Sequence, residues 1–345
     1  MEDLDLQEVF THGRDAGRGN LLGIQPLMRR SDYASGAAFT ARVRAYLQQA
    51  RELGWTTERT VAVLPEHLGT WLVAANESPS VYSAAAIAEA MRPLAMRNLG
   101  RFLFELLRSR EKDRPTAALF RVKAAQMARM YTAAFASLAR EFGVTIAAGS
   151  IVLPSPAVIE GKVTAGKGAL YNTAFVFQPN GQACSGAARK FAPVNSELPF
   201  ITPASPEDLP AFETPAGRLG VLVCADAWHP EAYQRLRALG VELVAVPSAS
   251  SPGEIWEKPW GGYSGRPAPS DVDPADVGRL TERQAWGKYA LAGRMASSEA
   301  RAGINVFLYG DLWDLDFTGG RWRIVRGGTD FEGSSYGPAL INLWL

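Results

Sequence analysis

The feature that most constrains this chain is its rhythm: short apolar, β-rich runs alternate with longer stretches whose apolar residues fall at helical spacing. The β-rich runs lie at 20–26, 60–64, 144–153, 171–177, 219–224, 241–247, 304–309, 321–325 and 338–344. Several are apolar throughout, as strands covered on both faces are. Between them, residues 32–53 carry apolar positions at helical steps and end near Gly54. A second helix begins near Pro115 and closes at Arg140-Glu141-Phe142-Gly143, and a third runs from Pro230 towards Gly240. Strands joined by helices predict an α/β fold with helices in outer layers.

A chain of 345 residues, 47% of them hydrophobic, can bury a large core. Its 36 basic and 35 acidic residues nearly cancel, so no electrostatic footprint points to a nucleic acid or an anionic membrane, and a small, largely neutral substrate is expected. The opening MEDLDLQEVF lacks the basic start and apolar run of a secretory signal, and no stretch approaches the roughly 20 apolar residues of a membrane span. The expected compartment is therefore the cytoplasm. Two cysteines, Cys184 and Cys224, are too few for a disulfide scaffold or a four-cysteine zinc site.

Two segments interrupt the rhythm. Residues 78–113 read as a helical insert, with Ile87, Met91, Leu94, Leu99, Phe102 and Leu106 at near-helical steps and a break or kink expected at Pro93. This insert is read as packing on the domain surface or at a subunit contact. Residues 251–276, rich in Gly, Pro, Ser and Trp, read as a long structured loop. Its Trp256, Trp260 and Tyr263 either cover a site or anchor the loop to the core.

Chemistry concentrates at three places. In VAVLPEH a strand delivers Glu66 at its end, although a glutamate there is more often a solvated loop residue. In ARKFAPVNSELPF, Lys190 follows a small-residue turn and leads to Glu197. In GRLGVLVCADAWHPE an apolar strand ends in Cys224 just ahead of a helix. Free backbone amides and a positive helix end near such a turn favour a thiolate and can hold an oxyanion, whereas a buried, inert cysteine is the plain alternative. His67 and His229 adjoin these motifs and would permit a Cys–His pair, but sequence adjacency does not bring a ring to the thiol.

Taken together, the cysteine segment followed by VELVAVPSAS, the LLGIQP run, VAVLPEH, YNTAFVFQPNGQ with ARKFAP, and FTGGRWRI resemble, in order, the motifs of the nitrilase superfamily. The resemblance implies an αββα sandwich over a single domain, 1–345, and a catalytic set of Glu66, Lys190 and Cys224. Glu197 and the Ala225 amide would support it, and Trp228, His67 and Ser248 are expected in the substrate pocket. It implies no metal or cofactor, an amide or nitrile as substrate, and a homodimer or larger homo-oligomer. Asp226 resembles the acidic residue of amidase branches and so favours amides over nitriles. Acyl transfer and a catalytically silent scaffold are the alternatives. Two departures stand out: Ala225 replaces a common aromatic residue, and the 124-residue interval from Glu66 to Lys190 is lengthened by the insert.

Overall fold

A computed structural model describes residues 4–345, so the first three residues of the opening segment lie outside the described residues. Two mixed sheets carry the fold. The first runs in the order Glu8–His12, Ala339–Trp344, Asn20–Gln25, Thr60–Val63, Thr145–Pro154, Leu170–Phe177 and Ala188–Arg189. The second runs in the order Ala211–Thr214, Gly217–Val221, Leu243–Ala249, Ala302–Asp311, Arg323–Arg326 and Thr329–Glu332.

Successive side chains on a strand point to opposite faces, and here both faces are buried, which accounts for the unbroken apolar runs. Leu21, Val61 and Val63 join Leu219, Val221, Leu243, Ala245, Ile304 and Val306 in a core between the sheets. The alternate residues Leu22, Ala62 and Leu64 pack outward with Phe39, Val43 and Leu47 of the helix Gly36–Glu52 and with Phe135 and Leu138 of Arg114–Phe142. On the other side, Leu222, Val244 and Val246 pack with Tyr233 and Leu236 of the helix Pro230–Ala238. The result is the expected αββα order of layers. Gly23 marks how closely the sheets approach, since a Cβ there would lie 2.6 Å from Ile304 Cδ1.

The helix ends follow local chemistry. Asp113 caps Arg114–Phe142 by accepting from the Thr116 N–H at 3.1 Å, and Gly143 closes it at φ 65 in the left-handed region. The insert forms three helices, Pro79–Ser83, Ile87–Arg97 and Leu99–Arg108. The break expected at Pro93 falls instead at Asn98, because Pro93 lies inside Ile87–Arg97 and the carbonyl it leaves unpaired sits on the exposed turn at Glu89. Strands Glu8–His12, Ala211–Thr214 and Thr329–Glu332 escape the sequence reading because they are short edge or near-edge strands with polar, part-exposed residues.

Candidate active site

Glu66, Lys190 and Cys224 reach one place from three strand ends. Glu66 follows the strand Thr60–Val63 and is 2% exposed. Its loop is fixed by a bulge in the neighbouring strand: Gly149, at φ 70, passes so near Pro65 that a Cβ would lie 2.2 Å from the Pro65 carbonyl oxygen. Beyond the bulge, Ser150 accepts the His67 N–H on its Oγ at 2.8 Å and the Gly69 N–H on its carbonyl at 2.9 Å.

Lys190 leaves the edge strand Ala188–Arg189 with its N–H donated to the Asn172 carbonyl at 2.8 Å. Its ammonium donates to Glu66 Oε1 at 2.7 Å and to Glu197 Oε2 at 2.5 Å. Asn172, which the sequence reading passes over, donates from Nδ2 to Glu66 and to Glu197, both at 2.9 Å. It had no local signal, since an Asn inside YNTAFVF gains meaning only from the strands around it. Burial by itself would push Lys190 down, but Glu197, Glu66 and Cys224 outweigh it and hold the ammonium well above its ordinary value. Burial acts upward on Glu197, yet Lys190 and His67 hold its carboxyl below the usual range. The set thus carries two carboxylates around one fixed cation. Glu66, His67 and Glu197 offer three ligand atoms within 4.8 Å of one another, and the Lys190 ammonium lies against both carboxylates.

Cys224 opens a short 3₁₀ turn, Cys224–Trp228, at φ 53, a strained conformation for a side chain with a Cβ. The turn exposes the Ala225 N–H near its start, among the amides that have no intrahelical acceptor. Burial, then Glu66, push the Cys224 thiol up from its ordinary value, against the pull of Lys190. Burial thus opposes the thiolate that the turn was expected to favour, and the Cys224 Sγ lies 3.7 Å from the Ala249 carbonyl oxygen.

Asp226, wholly buried, ties the lysine and cysteine segments together. Its Oδ1 accepts the N–H groups of Phe191 at 3.0 Å and Ala192 at 2.9 Å, and its Oδ2 accepts that of Val223 at 3.1 Å. Asp226→Ala would strand three buried donors, at roughly 1–3 kcal/mol each before relaxation. We expect a loss of about 3 kcal/mol or more in urea unfolding, with Asp226→Asn intermediate because its amide oxygen can still accept. Equal unfolding midpoints for Asp226→Ala and wild type would refute this role.

The site opens into two lobes that share Val194, Ser196, Cys224, Ala249 and Ser251. The larger, 480 Å³, is mainly apolar, lined by Trp71, Phe120, Phe200 and Phe317 and by Ile87 and Met91 of the insert. Glu66, Lys190, Glu197 and His67 also face it. The smaller, 290 Å³, is lined by Ala225, Trp228, His229, Trp260, Tyr263 and Trp286. The loop 251–276 therefore covers the site and is anchored as well, for Trp228 stacks on Trp260 at 5.7 Å and meets Trp286 edge-on at 5.0 Å. Trp228 both packs and faces the cavity.

Ser248, expected in the pocket, is not there. It is wholly buried within Leu243–Ala249 and accepts from Asn305 Nδ2 at 2.8 Å across the sheet, while the next residues, Ala249 and Ser250, line the cavity. Strand alternation places it on the wrong face. His67 Nε2 lies 3.5 Å from Glu197 Oε1, and burial pushes His229 down to about 4. Neither ring is hydrogen-bonded to the Cys224 thiol.

The four-layer fold is shared with amidases of known structure. An amidase from Nesterenkonia sp. AN1 superposes with a TM-score of 0.54 and 15% identity over 93% of this chain and 91% of its own. A variant of the same amidase in complex with butyramide superposes with a TM-score of 0.54 and 15% identity over 94% of this chain and 91% of that one. Residues 82–263 match the carbon-nitrogen hydrolase family, and the chain belongs to that family, within the nitrilase superfamily. Nitrilase 2 of Arabidopsis thaliana is 34% identical over 88 residues, 26% of this chain and 25% of the plant protein. Deaminated glutathione amidase of Yersinia enterocolitica is 49% identical over 43 residues, 12% of this chain and 15% of that enzyme. These alignments span a quarter or less of the relatives' own lengths.

Proposed function

We propose that this protein hydrolyses a non-peptide carbon–nitrogen bond, most simply an amide, through an acyl-enzyme on Cys224. The observation that carries the reading is the buried Glu66–Lys190–Glu197 cluster facing the same cavity as Cys224. Glu66 takes the thiol proton as sulfur attacks the carbonyl carbon. The resulting oxyanion is stabilised by the Lys190 ammonium and the Ala225 N–H. Glu66 returns its proton to the nitrogen, the C–N bond breaks, and the amine leaves a thioester. Glu66 then takes a proton from water, hydroxide adds to the thioester carbon, and collapse breaks the C–S bond and releases the acid while Glu66 returns its proton to the Cys224 sulfur. Asn172 and Glu197 hold Lys190 and Glu66 in register. A nitrile would pass through a thioimidate on the same residues. Among the described residues no helix is long and apolar enough to cross a membrane.

The test is intact-mass detection of an acyl adduct on Cys224 after incubation with an amide panel; no adduct from any amide or nitrile would overturn the reading.

The lobes favour amides without a carboxylate. An anion would lie against indole faces with no cationic side chain lining the smaller lobe. For matched amides with and without a carboxylate, we expect the uncharged one to be preferred at least tenfold in kcat/KM. Trp228→Arg should narrow that ratio by supplying a bidentate partner. A wild type that prefers the carboxylate, or a variant with an unchanged ratio, contradicts the assignment of Trp228 to the substrate pocket.

A further inference from the structure

The smaller lobe has a chemistry the larger one lacks. Its wall is built by Trp228, Trp260, Tyr263 and Trp286, with ring centroids 5.0–5.7 Å apart where they touch. One carboxylate, Glu282, faces the same space, and no lysine or arginine lines it. Glu282 is partly buried and has no salt-bridge partner among the described residues. Its carboxylate accepts from the side chain of Trp286, and burial pushes it up to about 7.

A structural duty explains the position poorly. Glu282 begins the helix Glu282–Tyr289, but that helix is already capped: Thr281 Oγ1 accepts the Gln284 N–H at 3.2 Å, and Gln284 Oε1 accepts the Thr281 N–H at 2.9 Å. A half-buried acid without a cation, beside four electron-rich rings and open to the substrate cavity, is a poor arrangement for the empty protein. It suits a ligand that brings the cation. Ring quadrupoles attract an ammonium over their faces, and the Glu282 carboxylate, when ionised, adds an opposite charge on the same wall.

We propose that this lobe receives a cationic group of the substrate, an alkylammonium or quaternary ammonium, held between Glu282 and the Trp228–Trp260–Tyr263–Trp286 wall. The inference rests on the hydrolase reading, because the lobe is a substrate site only if Cys224 is the reacting centre. The substrate would then be an amide with an apolar group for the larger lobe and a cationic group for the smaller.

The test is calorimetric titration of the protein with choline and with its uncharged isostere 3,3-dimethylbutan-1-ol, in wild type, Glu282→Gln and Glu282→Asp. Choline is expected to bind wild type at least tenfold more tightly than the alcohol. That preference should fall below threefold in Glu282→Gln and be partly kept in Glu282→Asp. The wild-type comparison stands even if a variant fails to fold. Equal affinities, no binding of either compound, or a preference unchanged by Glu282→Gln would overturn the proposal. Acylation of Cys224 by uncharged amides separates the two readings: adduct formation without choline preference removes only the cation site. Choline preference without any adduct removes the hydrolase assignment and with it the substrate role of the lobe, leaving only its affinity for a cation.

Discussion

Cys224→Ala should yield a folded protein with no turnover and no covalent adduct, a fall of at least about 10⁴-fold in kcat, because no other group can form the thioester. The substitution removes one sulfur from a site that is already a cavity wall, so stability should change by about 1 kcal/mol or less. Iodoacetamide gives a second readout on the wild type. Both cysteines are buried, and burial pushes both thiols up from their ordinary values. Cys224 nevertheless lines both lobes and has Glu66 near to receive its proton, whereas Cys184 lines neither. Faster labelling of Cys224 is expected, and its rate should rise with pH as the thiol ionises. Equal labelling, or turnover in the alanine variant, would remove Cys224 from the mechanism.

Lys190→Ala should lose activity and stability together. Among the described residues its ammonium is the one Lys or Arg group hydrogen-bonded to Glu66 and Glu197. Deleting it leaves two buried carboxylates facing each other through Asn172, at a cost of about 3–5 kcal/mol. One carboxyl must then take up a proton, so the variant should be least impaired at low pH and lose further stability as pH rises. Loss of an oxyanion partner alone is worth about 10²–10³-fold in kcat. Glu66→Gln separates the two effects, keeping a hydrogen-bonding amide at the site while removing the base. We expect kcat to fall by about 10²–10⁴-fold with a smaller change in unfolding midpoint. Full activity in Lys190→Ala, or loss of activity with a chelator restored by zinc, would break the metal-free scheme.

Much of this was legible in the sequence, and for a physical reason. Continuously apolar runs such as 219–224 and 241–247 fit strands covered on both faces, while the αββα order of layers came from the resemblance to the nitrilase superfamily. Pro115 and Gly143 marked the long helix because helix ends are set by a few neighbouring residues. Glu66 and Cys224 stood at the ends of strand runs, whereas Lys190 followed a small-residue turn and was tied to them by the resemblance of the ordered motifs.

What the tertiary structure decided is what depends on contacts distant in sequence. Asn172 bridging two carboxylates, Asp226 joining the lysine and cysteine segments, and Glu282 facing an aromatic wall arise from chain segments far apart, with no local pattern to announce them. Ser248 shows the converse: one step of strand alternation turned a residue of a recognisable motif away from the cavity and towards Asn305. The upward push on the Cys224 thiol was also beyond the sequence, since a turn that favours an anion sits in a buried place that disfavours one, and burial is set by the whole fold.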